Sequence, residues 1–199
     1  HLNLKLELVI AEDIDSVFEM LNNGEGDLIA HGLTVTEERK KKCAFTKHHY
    51  TTHQVLIQKK PENWRRMPRH RIKKYLINDV IGLMNDTISV RKNSSYFERL
   101  QNLSNEIGGP IYIDTLSGDI NTDEIIQMVV DGKIKYTVAD YNIAAINQSY
   151  HPELDIKTEV SLDQRIAWAT RKNSPLLNQA VNQWVDSMKN EVNYYVIYN

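Results

Sequence analysis

Apolar and polar residues alternate from the start of the chain: LNLKLELVI has the period-two pattern of a half-buried strand. IDSVFEMLNNGEGD changes to helical spacing, with Gly24 or Gly26 placed to end the helix. DLIAHGLTV predicts a second strand running into a loop. TEERKKK predicts a helix capped by Thr36, with Glu37 and Glu38 at the positive end of the dipole and the basic residues toward the negative end. HQVLIQKK is a further strand. DTISVRKNSSYFERLQNLSNEIGG then reads as strand, turn and helix, capped by Ser94 or Ser95 and stopped at Gly108 and Gly109.

GPIYIDTL predicts a strand, TDEIIQMVVDG a helix with Thr122 as N-cap, KIKYTVAD a strand ending at Asp140, and YNIAAINQSY a helix. IKTEVSL and QRIAWATRK are strands by the same pattern, and SPLLNQAVNQWVDSMKN is a closing helix with Pro175 in its first turn. Such alternation of strands and helices predicts an α/β architecture with mostly parallel sheets. Ligands of such sheets sit beyond the carboxyl ends of the strands, where loops meet helix N-termini. Three polar clusters fall at such places: Thr34 to Arg39, Asn93 to Ser95, and Asp140.

Composition adds bounds. A chain of 199 residues with 41% hydrophobic content can bury a core, as one domain or two small lobes. No apolar run is long enough to span a bilayer, and the first residues lack the basic and apolar regions of a signal peptide. The single cysteine, Cys43, excludes a disulfide framework and a cysteine zinc site. Net charge is −2, but residues 37–74 carry thirteen Lys and Arg against three acids. The densest part, PENWRRMPRHRIKKYL, fits a crossing between lobes, and its charge fits a phosphate, acidic-glycan or membrane-surface contact or a solvated face. Because the whole chain is slightly acidic, no nucleic-acid role is expected.

Arg39 and Asp140 are the candidate binding pair. A guanidinium fork holds a carboxylate bidentately, and an aspartate accepts from an ammonium, so the two could clamp a zwitterion. Thr34, Ser94 and Ser95 add hydroxyls and helix-start N–H groups suited to an anion. His48, His49 and His53 in KHHYTTHQ lack the spacing and partners of a metal site, so no metal is expected. No GxSxG, P-loop or GxGxxG sequence occurs, so neither a cofactor nor catalysis by this chain is expected. The aromatic tail EVNYYVIYN would pack on the body or lead into a further domain.

The string GEGDLIAHGLTVTEERKKKCAFT resembles the lobe-one signature of the family 3 extracellular solute-binding proteins, which have the type 2 periplasmic-binding fold. VRKNSSYFERL resembles the second-lobe turn bearing a hydroxyl pair, and DGKIKYTVAD the later strand whose last aspartate faces the ligand. Within that superfamily, NWRRMPRHRIKKYLI, VRKNSSYFERL and RIAWATRKNSPLL are most similar to the N-terminal module of the membrane-bound lytic murein transglycosylase F family, where a binding-protein-like module precedes a catalytic domain.

The resemblance implies two α/β lobes around a ligand cleft. Lobe one would comprise residues 1–58 and 164–199 and lobe two residues 61–160, with crossings near 58–61 and 160–164. Arg39 and Thr34 would hold a ligand carboxylate, Ser94 and Ser95 would add donors from lobe two, and Asp140 would take the ammonium. The ligand would be an amino acid or a cell-wall peptide fragment, without a cofactor or metal, and the chain would regulate an attached transglycosylase domain from the periplasm or the outer membrane, with a membrane surface as a further partner. The alternative is a free amino-acid-binding protein of an ABC transporter. Asn93 stands where the family often has glycine. The first lobe would also lack its usual first strand and helix, with a neighbouring chain or a rearranged segment filling the gap.

Overall fold

The computed structural model describes residues 5–11, 14, 16–117, 119–191 and 194. They fall into two compact units, residues 1–51 with 164–199 and residues 52–163.

The first unit holds α1 (Ser16–Asn23), β1 (Leu28–Thr34), α2 (Glu37–Lys42), β2 (Ala44–Phe45), β3 (Tyr50–Thr52) at its border, β9 (Gln164–Thr170) and α7 (Pro175–Lys189). Its sheet runs β1-β9-β2, with β3 also paired to β9. The β1 and β9 strands are antiparallel, with Leu28 opposite Thr170 and Thr34 opposite Ile166. The register shifts between Ile29 and Leu33, where β1 takes four steps against two on β9, and residues 30–32 are exposed there. Phe18, Leu21, Ile29, Leu33, Cys43 and Ala169 form the core. On α7, Val181 and Val185 are buried, and the Trp184 ring stacks on Trp168 at 5.3 Å.

The second unit holds β4 (Gln54–Lys59), α3 (Arg69–Lys73), β5 (Thr87–Arg91), α4 (Ser95–Ile107), β6 (Tyr112–Leu116), α5 (Thr122–Val130), β7 (Tyr136–Asp140), α6 (Tyr141–Tyr150) and β8 (Leu154–Asp155). One sheet runs β7-β4-β8 and a parallel pair joins β5 to β6. Every residue of β7 is buried, as are the first five of β4. Their period-two geometry sends side chains to both faces: Leu56, Tyr136 and Val138 enter one cluster, and Val55, Ile57 and Ala139 enter another.

Several expectations are corrected. The pairings of β1 and β2 with β9, and of β4 with β7 and β8, are antiparallel, leaving β5–β6 as the parallel pair among the described ladders. The reason is connectivity: β4 and β9 each enter a unit at the end where β7 and β1 finish, so they run the other way. The first crossing falls at residues 51 and 52, not at 58–61, because β4 is bonded into the second unit along its whole length. The Pro61–Pro68 segment therefore lies within that unit, as a 3-10 turn at Trp64–Arg66 leading to α3.

IKTEVSL is not a continuous strand. Val55 bridges Glu159 and Gln58 pairs with Asp155, so one extra residue on this side breaks the ladder, although Ile156, Thr158 and Val160 still turn inward. Residues 5–11 of the leading alternation carry no regular structure, and Leu6, Leu8, Val9 and Ile10 are exposed. Residues 1–4 of that stretch, and most of the EVNYYVIYN tail, lie outside the described residues. Alternation supplies strand propensity, but a strand forms only where a neighbour takes its ladder bonds.

Candidate ligand-binding residues

In the first unit, Thr34 ends β1 and two residues later Thr36 caps α2, its hydroxyl accepting from the Arg39 N–H at 3.2 Å. The cap fixes the direction of the first turn. Lys40 and Lys41 point outward to Glu37 and Glu38, at 2.6 and 2.5 Å, whereas Arg39 turns inward and is only 8% exposed. Its Nη1 donates to the Thr34 carbonyl at 3.0 Å, and the guanidinium lies 5.9 Å from the Phe18 ring centre. Thr34 and Arg39 are thus brought together, with the Thr34 hydroxyl residue buried at the same strand end. Cys43 closes the helix, its thiol donating to the Arg39 carbonyl at 3.2 Å, and burial pushes its pKa up to about 11.

In the second unit, Ser94 is the N-cap of α4. Its hydroxyl donates to the Arg91 carbonyl at 2.7 Å and accepts from the Phe97 N–H at 3.3 Å, so both functions serve the turn. Ser95 follows, half-buried, at the first helical position. Asn93 adopts φ 58°, the left-handed region that glycine takes most readily and asparagine tolerates, so the turn forms without glycine.

Asp140 ends β7 and precedes α6, and is 9% exposed. Its backbone N–H donates to the Tyr96 hydroxyl at 3.4 Å, and in the ladder it stands opposite Gln54, which is fully buried. Tyr96 therefore ties the first turn of α4, next to Ser95, to the end of β7. Burial, and then the Asp140 charge, raise the Tyr96 phenol above its ordinary pKa. Sequence reasoning passed over Tyr96 and Gln54. The signals were an aromatic residue directly after the serine pair and a glutamine directly before the apolar run Val55 to Ile57.

Beside Asp140, the Tyr141 N–H donates to the His53 carbonyl and the two rings stack at 4.9 Å. His53 lies 3.6 Å from Asp163 and 3.9 Å from Glu159, both exposed carboxylates. His49, by contrast, is buried against Trp168 at 4.7 Å. No group of three or more His, Cys, Asp or Glu side chains is placed to hold a metal among the described residues. A cavity of about 440 Å³ in this unit lies away from Asp140, at the opposite end of β7, and is lined by Lys59, Tyr75, Lys133, Lys135 and Tyr136.

The family profile of the bacterial extracellular solute-binding proteins, family 3, matches residues 1–199. Among curated relatives, a membrane-bound lytic murein transglycosylase F of Desulfosudis oleivorans is 31% identical over 199 residues, which cover all of this chain and 40% of the relative. One of Saccharophagus degradans is 31% identical over 182 residues, 90% of this chain and 34% of the relative. The chain thus spans about two fifths or less of these proteins. Of solved structures, an ancestral arginine-binding protein bound to arginine superposes with a TM-score of 0.78 at 23% identity, covering 99% of this chain and 80% of that one. An ancestral amino-acid-binding protein that is a precursor of cyclohexadienyl dehydratase gives 0.74 at 24%, covering 98% and 76%. The fold is that of the type 2 periplasmic amino-acid-binding proteins, and by a match over its whole length the chain belongs to the bacterial extracellular solute-binding proteins of family 3.

Proposed function

We propose that the chain binds a small zwitterion, a free amino acid or a cell-wall peptide fragment, and that this binding regulates a lytic transglycosylase domain carried by the same protein at the periplasmic side of the envelope. The observation that carries the reading is a buried arginine set at the end of β1 by the Thr34 carbonyl, in a chain of this family that also ends β7 on a buried aspartate. Arg39 and Thr34 would take the carboxylate and Asp140 the ammonium. Ser95 and the first N–H groups of α4 would add donors, with Ser94 acting by holding their turn. Binding energy realised only when both units engage one ligand would drive closure.

Titration calorimetry with L-arginine, L-glutamine and a muropeptide stem tests the reading. Arg39→Lys keeps the charge and loses the fork, and Asp140→Asn keeps the shape and loses the charge. Each should weaken binding by about 1.5–3 kcal/mol, roughly ten- to a hundredfold, with an unchanged circular dichroism spectrum. The clamp is wrong if none of the three ligands binds the wild-type chain or if both variants bind as it does. In the transport alternative, ligand would bind in the same way and no transglycosylase would be joined to the chain; a gene sequence continuing into such a domain separates the two.

A further inference from the structure

The basic stretch that the binding reading leaves unused lies wholly in the second unit. Between Lys60 and Asn78 the chain carries one acid, Glu62. Arg65, Arg66, Arg69, Arg71, Lys73 and Lys74 are exposed, and none lies within ion-pair distance of a carboxylate among the described residues. They stand on ordered backbone. Arg66 N–H donates to Asn63, Met67 to Trp64, Arg71 to Pro68, and Lys74 to Arg71, so successive turns hold the cations on a short, fixed path.

Aromatic residues bracket this path. Lys60 lies 4.6 Å and Arg65 5.2 Å from the Trp64 ring centre, while Tyr75 is 67% exposed at the other end. Tyr75 also lines the cavity of about 440 Å³ with Lys59, Lys133 and Lys135. Lys133 and Lys135 there are balanced by Asp131 and Asp86, at 2.9 and 3.0 Å, so the uncompensated charge is concentrated on the stretch itself.

We infer that this face docks on the surface of an anionic phospholipid bilayer. A cluster of unpaired cations is drawn to such a surface, and in a chain whose overall charge is −2 the attraction is local to its cationic face rather than general. Exposed Tyr75 and half-buried Trp64 discriminate between partners. A polyanion without aromatic bases, such as an acidic glycan, takes the charge alone, whereas a bilayer interface also accepts amphipathic rings at headgroup depth.

The test is co-sedimentation of the whole chain with phosphatidylcholine vesicles, with and without about 30% phosphatidylglycerol, at about 50 and about 500 mM salt. Retention on the anionic vesicles should exceed that on neutral ones by about tenfold or more at low salt and collapse at high salt. Replacing Arg65, Arg66, Arg69 and Arg71 by Gln should remove that excess with thermal stability unchanged, and Lys73→Gln with Lys74→Gln should give a smaller graded loss. Tyr75→Ala should weaken vesicle binding severalfold while leaving retention on heparin as it was. Equal retention on both vesicles, no retention, or retention indifferent to the arginine changes overturns the inference. So does a Tyr75→Ala chain that behaves as wild type on vesicles, which would mark the face as a site for soluble polyanions.

Discussion

Four consecutive cations, Arg39 to Lys42, share one short helix, yet only Arg39 is buried. Composition could not separate them. The Thr36 cap, the glutamates one turn before Lys40 and Lys41, and the Thr34 carbonyl did so, and two of these three features were visible as sequence. The lysine pairs are exposed and contribute little to stability. His49 was less legible, one of three histidines in a polar run, and the fold buries it with both ring nitrogens lacking a hydrogen-bond partner among the described residues. Burial, with Lys189 and His48 nearby, lowers its pKa to about 4. An unfolded histidine titrates near ~6.5, so the native state favours the neutral ring. Stability should be complete above that value and decline as pH falls through the window toward 4. Melting temperatures between neutral pH and about pH 4.5 should show this decline in the wild type and a flatter profile in His49→Phe, which keeps an aromatic ring without the proton. Parallel profiles would assign the acid sensitivity elsewhere.

At the scale of elements, the helices were read most securely because their ends are local chemistry. Gly24 and Gly108, both at positive φ, and Ser94, Thr36 and Pro175 sit at the ends they predicted. The exception is α5, which is capped by Asn121 rather than Thr122. Only Asn121 has a glutamate three residues on, and the Asn121 side chain accepts from Glu124 N–H at 2.9 Å while the Glu124 carboxylate accepts from Asn121 N–H at 2.8 Å. Strands were less legible because their bonds come from distant partners. The alternation in LNLKLELVI and in IKTEVSL is real, yet residues 5–10 of the first carry no regular structure and the second forms no continuous strand. The α4 cap carries a sharp expectation: Ser94→Ala should cost about 1 kcal/mol in urea unfolding, whereas Ser94→Asn should retain most of that stability. An unchanged midpoint for Ser94→Ala would mean that the turn is held by its neighbours alone.

At the scale of the molecule, the second unit is one uninterrupted segment with two apolar clusters drawn from its own residues. The first is assembled from both ends of the sequence, since β1 and β2 are held by β9. A fragment of residues 52–163 should therefore fold alone, with a cooperative thermal transition, and a fragment of residues 1–51 should not. A non-cooperative 52–163 fragment would mean that its core depends on the other unit. The outward crossing expected at 58–61 lies inside the second unit, which begins at residue 52. HQVLIQKK says only that a buried strand exists, and which unit it completes is decided by the side chains of Tyr136 to Asp140, some eighty residues later.

That connectivity has a mechanical meaning. Both ends of the sequence belong to the first unit, and the second is inserted into its sequence between residues 51–52 and 163–164. Anything fused to either end takes the first unit as its fixed footing. A domain joined to either end would be connected to the second unit, which carries Asp140 and the basic face, only through the first.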